Sequence, residues 1–107
     1  ELAQMRPGAV LVNVSRGLVV QEAALFAALR ERRIAGAVLD VWYRYPDLAR
    51  GARTCRPSSP ACPFHTLPNV VMTPHMSGWS DGRTDRSLDQ VLDNLSRLAQ
   101  GRPLLNV

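Results

Sequence analysis

Three residues in this sequence could do chemistry together. Arg16 follows the apolar run AVLVNV, Asp40 closes AGAVLD, and His75 follows VVMTP. A guanidinium grips a carboxylate through two parallel hydrogen bonds. An imidazole exchanges a proton near neutral pH. If the three runs are parallel strands, the three groups lie on one rim, where open α/β sheets form their ligand crevice. The set suits a small anionic substrate on which a proton moves. Each residue also has a plainer reading. A rim arginine is most often a solvated charge, and a histidine after proline is most often a turn residue. An aspartate at a strand end can simply accept backbone N–H bonds.

The elements that must position these residues follow from the apolar pattern. Arg6-Pro7-Gly8 is a turn, and residues 9–14 are apolar with little alternation, which fits a parallel strand covered on both faces. QEAALFAALRER predicts a helix over 21–32, apolar around most of its circumference. Gln21 is a weak start for it, while Glu22 and the arginines near its end suit the helix dipole. Residues 35–41 predict a second strand, giving a βαβ unit with a right-handed crossover. Residues 42–69 hold no regular pattern and predict a long loop, in which WYRY packs and residues 50–60 do not. Residues 70–74 predict a third strand, stopped by Pro74. Residues 80–101 predict an amphipathic helix with one apolar stripe: Leu88, Val91, Leu92, Leu95 and Leu98. Ser80, Asp81 or Thr84 could cap that helix, and Gly101 with Pro103 ends it. The tail PLLNV could add a short strand.

Composition narrows the function classes. A chain of 107 residues is one domain or a piece of one, and 46% apolar content is ordinary for a folded protein. The formal charge of +4 comes from 13 arginines and no lysine. They are scattered among acids instead of clustered on one face, which argues against a nucleic-acid surface. Cys55 and Cys62 stand at neither a metal spacing nor a disulfide framework, and read as reduced thiols. No apolar run approaches the roughly 20 residues of a membrane span, and the start has no charged-then-apolar leader. The expected setting is the cytoplasm. ELAQMRPG reads as an entry into the middle of a domain.

Taken in order, MRPGAVLVNVSRGLVVQEAAL, AGAVLDVW and LPNVVMTPHMSG resemble the motifs of the D-isomer-specific 2-hydroxyacid dehydrogenases. The resemblance covers nearly the whole chain except residues 50–60. It implies an α/β fold: the C-terminal half of a dinucleotide-binding domain, a partial Rossmann-like doubly wound parallel sheet. Residues 1–100 would be that portion, and 101–107 a tail returning toward a substrate domain. It further implies hydride transfer between NAD and a small 2-hydroxy or 2-keto acid, with NADP left open, and a homodimer in the full-length parent. Arg16 would bind the substrate's carboxylate and keto oxygen, and His75 would be the acid/base. Asp40 would hold the nicotinamide carboxamide. Val14, Ser15, Arg16, His75 and Gly78 would line the nicotinamide pocket.

The sequence departs from the family in two places. Where the family carries a glutamate bonded to the histidine, this chain reads DVWYRYP and places Tyr45. A tyrosine could orient the imidazole without favouring its charged form, so the reductase optimum is expected to shift toward acid. The G-x-G-x-x-G phosphate loop is also absent from the sequence, so the chain on its own is expected to be inactive. The rival reading is a truncated, non-catalytic paralogue acting as a binding or vestigial module.

Overall fold

Three short apolar runs form β1 (Val10–Asn13), β2 (Gly36–Leu39) and β3 (Val70–Met72) in a computed structural model that describes residues 1–54 and 56–106. The strands are parallel and hydrogen-bonded in the order β1-β2-β3. Asn13 lies opposite Leu39, and Leu39 opposite Met72, so the three strands end level. Pairing runs one step past the strands: Asp40 N–H donates to Asn13 O and Thr73 N–H to Leu39 O, both at 3.0 Å. The chain therefore leaves the sheet three times along one edge, carrying residues 14–16, 40 and 73–75.

The crossover helix α1 (Glu22–Arg30) buries Leu25, Phe26, Ala28 and Leu29. It is shorter than its apolar pattern because Arg32 turns left-handed, at φ 57°, in a position that usually goes to glycine. Arg33 N–H then closes on Ala28 O at 2.8 Å and Arg32 N–H on Leu29 O at 3.2 Å, which satisfies the last carbonyls. These side chains pack with Ile34, Ala37, Leu39, Trp42, Cys62 and Phe64 in one core. Phe64 meets Phe26 edge-on at 5.4 Å and stacks on Tyr43 at 6.1 Å. Cys62 is a buried free thiol, whereas the expectation for Cys55 lies outside the described residues.

The loop between β2 and β3 is irregular apart from two single turns, Leu48–Arg50 and Phe64–Thr66. As expected, residues 50–54 stay exposed, but contrary to expectation residues 57–59 pack. Pro57 O accepts from both Tyr43 N–H and Arg44 N–H at 3.1 Å, Ser58 is buried, and Ser59 N–H donates to Glu22 at 2.6 Å. Amides leaving β2 need acceptors once buried, and the returning loop supplies them.

β1 is not covered on both faces. α1 covers one side of the sheet, while Val10, Val12 and Val71 stay exposed on the strands. α2 (Arg83–Ala99) leaves its stripe, Leu88, Val91, Leu92, Leu95 and Leu98, 54% to 65% exposed. None of the expected side-chain caps forms. Gly82 precedes the helix at φ 67°, and the carbonyl of Ser80 accepts Arg83 N–H instead. Its end is as expected: Gly101 turns left-handed, and Arg102 N–H bonds Arg97 O at 2.9 Å. The tail forms no strand among the described residues. Asn94 clamps it to α2 through both hydrogen bonds of the Leu105 backbone. Among the described residues no helix is long and apolar enough to cross a membrane.

Candidate active site

Asn13, only 6% exposed, is the polar residue that ends β1, and its amide organises the turn that follows. The amide nitrogen donates to Arg16 O at 3.0 Å, and its oxygen accepts Ser15 N–H and Ser15 Oγ at 3.2 and 3.1 Å. Arg16 is thereby presented at the sheet edge, its guanidinium resting on Ser15 O at 2.7 Å. The next residue has to be glycine. A Cβ on Gly17 would lie 2.2 Å from the Trp42 carbonyl oxygen, so the Arg16 turn is seated directly on the exit from β2.

Asp40 is 1% exposed and anchors the turn after β3. Its Oδ1 accepts from Thr73 Oγ1 at 2.6 Å and Met76 N–H at 2.8 Å, and its Oδ2 accepts Ser77 N–H at 2.8 Å. Burial alone would raise the Asp40 carboxyl. Hydrogen bonding from Ser77, Thr73 and Met76 outweighs it and holds the group well below the usual carboxylate range. Asp40 is therefore a fixed negative charge at neutral pH. His75 stands on the turn it anchors, in a left-handed conformation at φ 58° that residues with a Cβ rarely adopt. Trp42 adds a second tie, its indole N–H donating to Thr73 O at 3.0 Å.

The ring of Tyr45 lies 5.6 Å from that of His75 and is tilted by 49°. Its hydroxyl accepts Trp42 N–H at 3.1 Å, so the ring, and not the hydroxyl, faces the imidazole. Asp47 is turned to Arg50, whose backbone and guanidinium it holds at 3.3 and 3.4 Å. His75 separates two spaces. One, about 420 Å³, is walled by Tyr45, Trp42, Pro57 and Pro74. The other, about 440 Å³, is lined by Val14, Arg16, His75, Ser77, Gly78, Trp79 and Arg83. Four of the residues singled out in the sequence thus share one cavity: Val14, Arg16, His75 and Gly78. Asp40 lies beneath it, Ser15 beside it, and Tyr45 on the far side of His75. Among the described residues no group of three or more His, Cys, Asp or Glu could hold a metal ion.

Residues 1–77 match the family described as D-isomer specific 2-hydroxyacid dehydrogenase, NAD binding domain. The chain belongs to this family. It is 38% identical over 101 residues to a glyoxylate reductase of Korarchaeum cryptofilum, covering 94% of this chain and 27% of that protein. It is 39% identical over 95 residues to a 2-ketogluconate reductase of Gluconobacter oxydans, again covering 27% of the relative. A D-isomer specific 2-hydroxyacid dehydrogenase from Xanthobacter autotrophicus Py2, solved with NADPH and MES, superposes with a TM-score of 0.69 at 38% identity. That match covers 98% of this chain and 38% of the solved one. The chain thus spans about a quarter of the length of these curated relatives.

In this family member, sequence reasoning missed two positions that shape the site. Asn13 was legible only as a polar residue inside an apolar run, a signal that on hindsight points to a turn organiser. Arg83 stood among many arginines with nothing to distinguish it. It reaches the cavity because the turn at 78–82 brings the start of α2 back toward His75.

Proposed function

We propose that this chain is the acid/base and nicotinamide-facing part of an NAD(P)-dependent oxidoreductase of small 2-hydroxy and 2-keto acids. The observation that carries the reading is the shared cavity: Arg16 and His75 arrive from different loops and line one space with no carboxylate among its lining residues. The phosphate loop is not in this sequence, so the fit concerns only the nicotinamide end. There Val14 and Gly78 offer little bulk, and Asp40, buried beneath, fixes the Met76 and Ser77 amides of the turn.

In this reading Arg16 exchanges the Ser15 carbonyl for the substrate's carboxylate and keto oxygen. His75, as imidazolium, gives a ring proton to that oxygen during reduction, and the neutral ring takes it back during oxidation. Bound nicotinamide supplies or receives the hydride at the adjoining carbon. The two cationic groups stabilise charge developing on the oxygen. Asp40 holds the His75 turn by its three hydrogen bonds. Tyr45 backs the imidazole with its ring and gives it no negative charge, so reduction is favoured toward acid pH. A cytoplasmic homodimer belongs to the same reading.

The test is steady-state oxidation of NADH and NADPH by a panel of 2-keto acids, using the protein at its native length. His75→Gln lowers kcat by about 100-fold or more. Tyr45→Glu moves the optimum for reduction to higher pH, and an unchanged profile would sink the role given to Tyr45. No turnover with any acid or nucleotide would favour the non-catalytic reading.

A further inference from the structure

We infer that the substrate carries a second anionic group beyond its 2-keto carboxylate, and that Arg83 holds that group. This rests on the dehydrogenase reading and adds a substrate class to it. The cavity that Arg16 and His75 share has Arg83 on its wall, and no carboxylate among its lining residues. Among the described residues neither Arg16 nor Arg83 makes an ion pair, as is true of most of the 13 arginines, but these two are the arginines that line this cavity. Two guanidiniums facing one space of about 440 Å³, with Asp40 buried beneath it, leave room for a second anionic group besides the carboxylate held by Arg16.

Arg83 is the first residue of α2, whose first turn also carries Asp85. Gly78 keeps the guanidinium open to the cavity: the carbon of that guanidinium is 3.7 Å from where a Cβ on residue 78 would stand, so a larger side chain would come between them. Arg86, one turn on, donates to Ser80 Oγ at 3.3 Å and does not line the cavity. Arg16 fixes the carboxylate next to the keto carbon, while Arg83 takes a carboxylate, sulfonate or phosphonate at the other end of a short chain. The shared chemistry is the second negative charge.

Kinetics of the protein at its native length decide it. Oxaloacetate, 3-sulfopyruvate and phosphonopyruvate are compared with pyruvate and 2-ketobutyrate, in the wild type, Arg83→Gln, Arg83→Lys and Arg86→Gln. The expected result is that one or more dianionic acids exceeds pyruvate in kcat/KM by about 30-fold or more. Arg83→Gln lowers kcat/KM for the dianionic acids about 30-fold more than for pyruvate, with the excess loss in KM. Arg83→Lys restores part of the preference, and Arg86→Gln keeps all of it. A wild type that prefers pyruvate, or equal losses on both classes in Arg83→Gln, overturns the inference. If no 2-keto acid is turned over, the dehydrogenase reading fails separately, and calorimetry with malonate and acetate still reads the pocket. Malonate binding weakened about 30-fold by Arg83→Gln supports two anion sites, and equal binding overturns them.

Discussion

Gly17→Ala tests the seat of the Arg16 turn directly. The added Cβ would lie 2.2 Å from Trp42 O, 2.4 Å from Trp42 C and 2.9 Å from Tyr43 N. A carbon and a carbonyl oxygen in contact ordinarily stay about 3.3 Å apart, so one backbone segment must retreat by about 1 Å. Neither has slack. Trp42 is tied by its backbone to Tyr45 Oη and by its indole to Thr73 O, and Tyr43 N–H is tied to Pro57 O. On the other side, Asn13 holds the 14–16 turn through three hydrogen bonds.

Overpacking against flexible side chains costs about 1–3 kcal/mol, and an obstacle made of backbone belongs at the upper end, about 3 kcal/mol. With a urea m-value of about 2 kcal/mol per molar, the unfolding midpoint falls by about 1.5 M. Tryptophan fluorescence reports the transition, since Trp42 stands at the contact. Gly8→Ala is the control, because a Cβ at Gly8 meets nothing within 4 Å. Its midpoint is expected to hold or rise slightly. A Gly17→Ala midpoint within about 0.3 M of the wild type would refute the close approach and with it the coupling of Arg16 to the β2 exit.

Two further predictions concern protons. Because hydrogen bonds hold Asp40 below its usual range, its contribution to stability is present above about pH 4 and is lost as pH falls through the folded value. Asp40→Asn should therefore unfold at lower urea than wild type at pH 6, with the gap narrowing below about pH 4. A gap that stays constant down to pH 3 would contradict the charge-based account. Burial pushes the Tyr43 phenol up to about 12, with the Glu22 carboxylate and Cys62 adding to it. In a Tyr45→Phe background the absorbance change at about 295 nm should follow that late proton. Stability should drop between about pH 10 and 12, where only the unfolded chain has released it. A native phenol that ionises near 10 would refute the burial.

What the sequence disclosed depended on how far a residue's role reached. The three strands and α1 were legible because unbroken apolar runs set the local structure, even where, as at Val10, Val12 and Val71, burial did not follow. Their level ends, and so the meeting of Arg16, Asp40 and His75 along one edge, followed from parallel pairing. The packing of residues 57–59 was not legible. Its causes are the unpaired amides of Tyr43 and Arg44 and the carboxylate of Glu22, all distant in sequence. The Gly17 contact was hidden for the same reason, since a glycine at a strand exit gives no sign of the carbonyl that will meet it. Arg32 in a glycine position shows the opposite limit: a local rule was available, and the chain set it aside.

The periodicity of α2 named its apolar face correctly but carried no information about a partner, and Leu88, Val91, Leu92, Leu95 and Leu98 remain exposed in this chain. The bare face of β1 is a parallel case. Neither face enters the site's own wiring. Arg16 is fixed by Asn13 and Gly17, and His75 by Asp40 and Trp42, through contacts that all lie on the carboxyl edge of the sheet. Covering the two apolar faces would therefore change stability and assembly far more than the relation of guanidinium to imidazole. Arg83 is the exception, because it is carried by α2 itself. Whatever packs against that stripe also sets how firmly the second guanidinium is held over the cavity, so the proposed preference for a dianionic substrate is the property most sensitive to it.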